Sequence, residues 1–259
     1  MITSFFRCTA AFLILTLCVA TACKKDEQES ITLKVISAST NVQAAVDEYR
    51  ALLGANNGGT AGSQATGRRE INWDGVPDSL AAPNNMPFDF FNTNTGTRAR
   101  GAVFSTPGTA VQVSADNSNA SGAATSFGNI NPTYTKMFPP FSAERVFSPI
   151  GSNIVDLRFY VPGSTTKAVV NGFGAVYIDV DRVENTAFEY FDINDKSLGV
   201  YKTLALNEGH VFLGVLFKSA MVHRVRIEYG NSKLGPNESS TVDVAVMDDF
   251  IYGEPQASK

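Results

Sequence analysis

The feature that most constrains this chain is the spacing of its β-branched and aromatic runs. Residues 146–148, 154–161, 168–179, 186–191, 197–206, 210–217, 222–229 and 242–252 are rich in Val, Ile, Phe and Tyr. Turn signals separate many of them: Pro162-Gly163 and residues 192–196, 207–209 and 230–240. Short runs of this kind, bounded by Gly, Pro, Asn and Asp, read as strands. Leu157, Phe159 and Val161 alternate with Arg158 and Tyr160, and Val225 and Ile227 alternate with Arg224, Arg226 and Glu228. A period of two sets one face against a core and leaves the other wet. Further strands are expected over residues 70–73, 102–105 and 111–114. About ten short strands at this spacing predict an all-β fold, a two-sheet antiparallel sandwich of jelly-roll type. Hydrophobic residues make up 44% of the chain, enough for a sizeable core.

The sequence predicts one substantial helix after the leader. Val42, Ala45, Val46, Tyr49, Leu52 and Leu53 fall at helical spacing, Ser39 or Thr40 is placed to cap its start, and Gly54 is placed to stop it. Ile31, Leu33 and Val35 alternate with Thr32 and Lys34 as in a short strand. Residues 56–67 and 115–131 read as loops, and residues 133–142 as a turn of helix closing one end of the core. The expected organisation is a leader (1–22), a lipidated cysteine and tether (23–38), a helix with a Gly-rich loop (39–68) and a β-sandwich (69–255).

Residues 1–22 carry Arg7 and then an apolar stretch too short to span a bilayer, followed by small residues. Ala20-Thr21-Ala22-Cys23 resembles a bacterial lipobox, with Ala20 where Leu is usual. Cleavage there removes Cys8 and Cys18 and leaves Cys23 as the sole cysteine of the three, so the mature domain has no disulfide. Several acyl chains on Cys23 make a stable membrane anchor, where one chain is marginal. Cys23-Lys24-Lys25-Asp26-Glu27 resembles the start of many lipoproteins of the Bacteroidetes type. That likeness implies an outer-membrane lipoprotein facing the cell surface, with a periplasmic orientation as the alternative.

Three longer segments carry a second resemblance. They are Gly67-Arg68-Arg69-Glu70-Ile71-Asn72-Trp73-Asp74-Gly75-Val76-Pro77, Asn171-Gly172-Phe173-Gly174-Ala175-Val176-Tyr177-Ile178-Asp179-Val180-Asp181, and Val246-Met247-Asp248-Asp249-Phe250-Ile251-Tyr252-Gly253-Glu254. Together they resemble a family of uncharacterised secreted bacterial proteins. More loosely, the Asp-Asp-Phe-Ile-Tyr strand is similar to the last strand of carbohydrate-binding-module jelly rolls. That likeness implies glycan binding and a structural calcium near the first and last strands.

A net charge of −4, with no cationic run, excludes the electrostatic footprint of a nucleic-acid binder. There is no Gly-x-Ser-x-Gly elbow, His-Glu-x-x-His pair or P-loop, and His210 and His223 are not at a metal-ligand spacing. Gly172-Phe173-Gly174 lacks the third glycine of a dinucleotide loop and reads as a bulge or a close approach within a sheet. The acids are more informative. Asp248 and Asp249 are adjacent in an apolar strand, so one of them is expected to face inward. A buried carboxylate is costly unless it is paired or bound to metal. If first and last strands are neighbours, Glu70 or Asp74 could share a calcium ion with Asp248 or Asp249; neutralisation by an arginine is the alternative. Asp179 and Asp181 end a hydrophobic strand. Trp73, Tyr134, Phe138, Phe141, Tyr160, Tyr201 and Tyr229 are the candidate sugar-stacking residues, most of them expected in the core.

The expected function is a non-catalytic lipoprotein that binds a glycan or another envelope ligand. A structural or adhesive protein without small ligand, and a hydrolase, are the alternatives. Cys23→Ser is expected to move the protein from the membrane pellet to the soluble fraction and to abolish labelling by a palmitate analogue. Retention in the pellet would refute anchorage at Cys23.

Overall fold

A computed structural model describes residues 30–258 and Met1. The leader, Cys23 and the polar tether up to residue 29 lie outside the described residues. The strands are β1 (Thr32–Ala38), β2 (Arg68–Ile71), β3 (Ala102–Ser105), β4 (Ala110–Val113), β5 (Phe147–Ile150), β6 (Ile154–Phe159), β7 (Ala168–Val169), β8 (Gly172–Val180), β9 (Ala187–Phe191), β10 (Ser197–Lys202), β11 (Leu206–Phe217), β12 (Arg224–Glu228), β13 (Val246–Gly253) and β14 (Gln256–Ala257). Two helices, α1 (Val42–Leu53) and α2 (Tyr134–Met137), interrupt them.

Among the described residues, seven strands form a larger antiparallel sheet in the order β1-β11-β8-β13-β5-β4, with β2 also on β13. Five form a smaller sheet, β10-β9-β12-β6-β3, and β14 pairs with β7. The chain crosses between the two main sheets from β2 to β3, β3 to β4, β5 to β6, β8 to β9, β10 to β11, β11 to β12 and β12 to β13. This is the winding of a jelly-roll-like sandwich, as the strand spacing predicts.

The core between the sheets is aromatic. Trp73 lies stacked on Phe147, ring centroids 4.2 Å apart, and meets Phe250 edge-on at 4.9 Å. Phe104, Phe159, Phe173, Phe188 and Tyr252 continue the layer. Several buried tyrosines find acceptors: the Tyr190 hydroxyl donates to Phe173 O, Tyr177 to Ala187 O, and Tyr252 to Arg100 O, whereas the buried Tyr229 hydroxyl has no protein partner.

The smaller sheet keeps the predicted alternation. Val225 and Ile227 point inward, while Arg226 and Glu228 remain partly exposed. The larger sheet does not, because both of its faces are covered. Every residue of β8 and β13 is buried. Val42, Ala45, Val46, Tyr49 and Leu53 of α1 pack on Val176, Phe212, Leu216 and Ile251. Phe127, Tyr134, Phe138 and Val146 cover Ile178 and Val246. The helical turn α2 therefore lies over the outer face of the larger sheet, and does not close an end of the inter-sheet core.

Glycines make room for α1. Gly174 and Gly214 face each other on β8 and β11, and a Cβ on Gly174 would lie 2.7 Å from the Gly214 Cα. Gly172-Phe173-Gly174 is thus a close approach, with Phe212 and Tyr49 seated above the bare backbone.

Three local expectations shift. Asn41, in a left-handed conformation at φ 50, precedes α1 in place of Ser39 or Thr40, and no side chain caps it. The phase of β1 is reversed: Ile36 is buried beneath α1, whereas Leu33 and Val35 are exposed. Residues 32–38 are also not tether, since β1 pairs with β11 along its length.

Trp73→Ala removes the largest fully buried side chain. It is expected to lower unfolding stability by about 3–5 kcal/mol, the range for large aromatic truncations. Chemical denaturation measures it, and an unchanged midpoint would contradict this packing.

Candidate functional site

The three sequence segments singled out above are neighbouring strands. β2 and β8 flank the second half of β13, with Ile71 opposite Phe250 and Phe173 opposite Tyr252. Arg69 and Glu254 join the outer two segments by a fully buried ion pair. Nε and Nη2 of Arg69 each donate to one Glu254 oxygen at 2.7 Å. Its Nη1 donates to the carbonyls of Gly58 and Thr60 at 2.8 Å and of Ala99 at 3.2 Å, and Nη2 also to Gly62 O. Asn57 Nδ2 and the Gln64 amide complete the carboxylate's partners. The Gly-rich loop is therefore wrapped around one guanidinium. Such pairs hold only when every donor and lone pair is met.

β2 and β13 are adjacent, and Glu70 and Asp249 approach each other there. An arginine joins them: Arg50 of α1 donates from Nη2 to Glu70 at 3.0 Å and to Asp249 at 3.1 Å. Arg68 Nε adds a second bond to Glu70. Asp248 accepts from the amides of Phe141, Ser142 and Asp249, each at 2.8 Å. The Ser142 hydroxyl donates to Asp249 at 2.6 Å. Asp74 lies elsewhere, its Oδ1 accepting the amides of Glu144 and Arg145.

Neither Asp248 nor Asp249 faces the inter-sheet core. The register of β13 on β8 slips by one residue between Asp248 and Ile251, and Asp249 has φ 35. A bulge opposes two residues to one, so two successive side chains leave by the same face. Met247 and Phe250 then both point inward. Burial pushes Asp248 up to about 8, and the Asp249 charge adds to the rise, against the amides that favour its ionised form. Burial also raises Asp249, opposed by Ser142 and Arg50.

A second acidic group forms at one end of β8. Carboxylate oxygens of Asp179, Asp181 and Glu238 lie within 4.8 Å of one another. Asp243 is beside them, its carboxylate accepting the amides of Asp181 and Arg182. Asp179 and Asp243 are fully buried. The Glu208 amide donates to Asp179 Oδ1 at 2.6 Å, whereas Oδ2 is buried without a donor. Burial first, and the neighbouring carboxylates with it, push Asp179 up to about 7, Glu238 to about 8 and Asp243 to about 6. Asp179 and Asp181 stand out in sequence as acids ending an apolar strand. Glu238 and Asp243 do not, because they arrive from a turn 57 residues further on, counted from Asp181 to Glu238.

The aromatic candidates divide. Trp73, Tyr134, Phe138 and Tyr229 are in the core; Phe141, Tyr160 and Tyr201 remain partly exposed. Tyr160 lines a depression of about 420 Å³ together with Asp89, Asn92, Val103, Ser164 and Lys167. Asn92 is held there by bonds to Ser164 O and the Gly163 amide. Both histidines face carbonyls: His210 Nε2 pairs with Pro139 O and His223 Nδ1 with Ala168 O.

No family model, curated protein or solved structure matches this chain. Among the described residues, no helix is long and apolar enough to cross a membrane.

Arg50→Met removes the cation shared by Glu70 and Asp249, leaving Glu70 with Arg68 and Asp249 with only the Ser142 hydroxyl. A partly buried pair broken in this way is expected to cost about 2–3 kcal/mol at pH 8. Without Arg50, the folded-state pKa of Asp249 rises further above its unfolded value. The folded variant then holds a proton that the unfolded chain has released, so its deficit shrinks as pH falls from 8 towards 4. Denaturation across pH checks this, and a deficit independent of pH would contradict it.

Proposed function

We propose that this chain is an envelope lipoprotein, anchored by Cys23 in the outer membrane and facing the cell surface, whose sandwich binds a glycan without catalysis. We group it with the secreted proteins that its three segments resemble. The observation that carries the binding reading is the Tyr160 depression. A partly exposed ring beside Asp89, Asn92 and Lys167 combines an apolar surface with polar groups suited to hydroxyls. Its single carboxylate, Asp89, weighs against glycosidase chemistry, which needs two carboxyl groups across the sugar bond.

A structural or adhesive role without small ligand is the second reading. The outer face of the smaller sheet favours it. Arg226 is bidentate to Asp156, Arg224 also bonds Asp156, and Arg224 lies 3.6 Å over the Phe191 ring. That face is charged, and its groups already satisfy one another.

A glycan array probed with the purified protein decides between them. The first reading expects at least one polysaccharide class to bind, and Tyr160→Ala to weaken it tenfold or more. Clean negatives across the array would sink it in favour of the second.

A further inference from the structure

We propose that Asp179, Asp181 and Glu238 bind one calcium ion, which ties the end of β8 to the turn that precedes β13. The site is distinct from Glu70, Asp248 and Asp249 on β2 and β13, and it does not depend on which ligand the sandwich takes.

The contrast with the other buried acids carries the argument. Outside this group, Glu254 has Arg69, Asp249 has Arg50 and Asp156 has Arg224, while Asp248, which has no arginine, accepts three backbone amides. Among the described residues, no salt bridge reaches Asp179, Asp181 or Glu238. The nearby Arg182 sends its guanidinium to Ser240 O and towards Glu184. Its backbone amide goes to Asp243. One oxygen of the fully buried Asp179 has no donor at all, in the midst of converging carboxylates. Such a group must take up a proton, meet a water or gain a cation, and three carboxylates converging on one point favour the cation.

The donor set selects the ion. It contains oxygens only, so soft and borderline metals that favour His or Cys are poorly matched. Calcium lies about 2.3–2.6 Å from its ligands, so two oxygens on one ion are at most about 5 Å apart. Convergence within 4.8 Å meets that limit. Three carboxylates, one of them fully buried, would require magnesium to give up water that it sheds reluctantly, whereas calcium accepts such a cage. Asp181 and Glu238 are partly exposed and give the ion a route in. Asp243 acts as a positioning residue: by holding the Asp181 and Arg182 amides it fixes the turn that presents Asp181.

The test uses the full chain in detergent, stripped with EDTA and titrated with calcium chloride by calorimetry, alongside thermal unfolding. One ion per chain and a rise in Tm of about 5–10 °C at saturating calcium are expected. Asp181→Asn, at a partly exposed position, should weaken binding at least tenfold and remove most of the Tm rise. Asp179→Asn should do the same while leaving the calcium-free Tm no lower than that of the unsubstituted protein. Asp248→Asn should leave calcium binding unchanged. No heat and no Tm shift would overturn the proposal. So would full binding by the Asp181→Asn/Glu238→Gln double variant, or an equal shift from magnesium at the same concentration.

Discussion

The buried pair between Arg69 and Glu254 is the interaction on which the architecture most depends. It fastens β2 to the residue that directly follows β13. It also supplies the hydrogen bonds that a glycine-rich loop cannot make within itself, since four loop or turn carbonyls converge on one guanidinium. Removing either partner strands a charge in a buried site, whereas the intact pair is fully satisfied. Gly253 belongs to the same junction: a Cβ there would lie 1.8 Å from Asn171 Oδ1, so a larger residue would have to displace the Asn171 side chain where the three segments meet.

Within the smaller sheet, β6 and β12 were readable from alternation, because solvent meets their outer face and their side chains keep a two-residue rhythm. The larger sheet was readable as strands but not in its facing. α1 and the turn around Tyr134 cover it, so β8 and β13 are apolar on both sides and lose the rhythm. The Asp248–Asp249 pair shows the limit well. Strict alternation sends one of them inward, but a one-residue bulge sends both outward, and no local sequence signal marks the slip. β1 was placed in the wrong phase because an edge strand leaves Leu33 and Val35 in solvent, where hydrophobicity no longer reports direction.

Partner choice was harder to read than position. The acids of β2 and β13 were visible as a group that needed neutralising. The arginine that meets Glu70 and Asp249 sits on a helix, 20 residues before Glu70 and 199 before Asp249. Asp179 and Asp181 likewise find Glu238 only through the crossing of strands between sheets. Sequence shows which side chains carry a burden of charge, and topology decides what relieves it.

The covering of the larger sheet has one more consequence. With α1 over one half of its outer face and the segment from Phe127 to Val146 over the other, that sheet has no broad surface left to present. The smaller sheet and the rims of the sandwich are what the molecule can offer to its surroundings. The two faces of the domain therefore differ in kind: the smaller sheet meets solvent directly through charged side chains, whereas most of the larger sheet meets it through α1 and the segment from Phe127 to Val146.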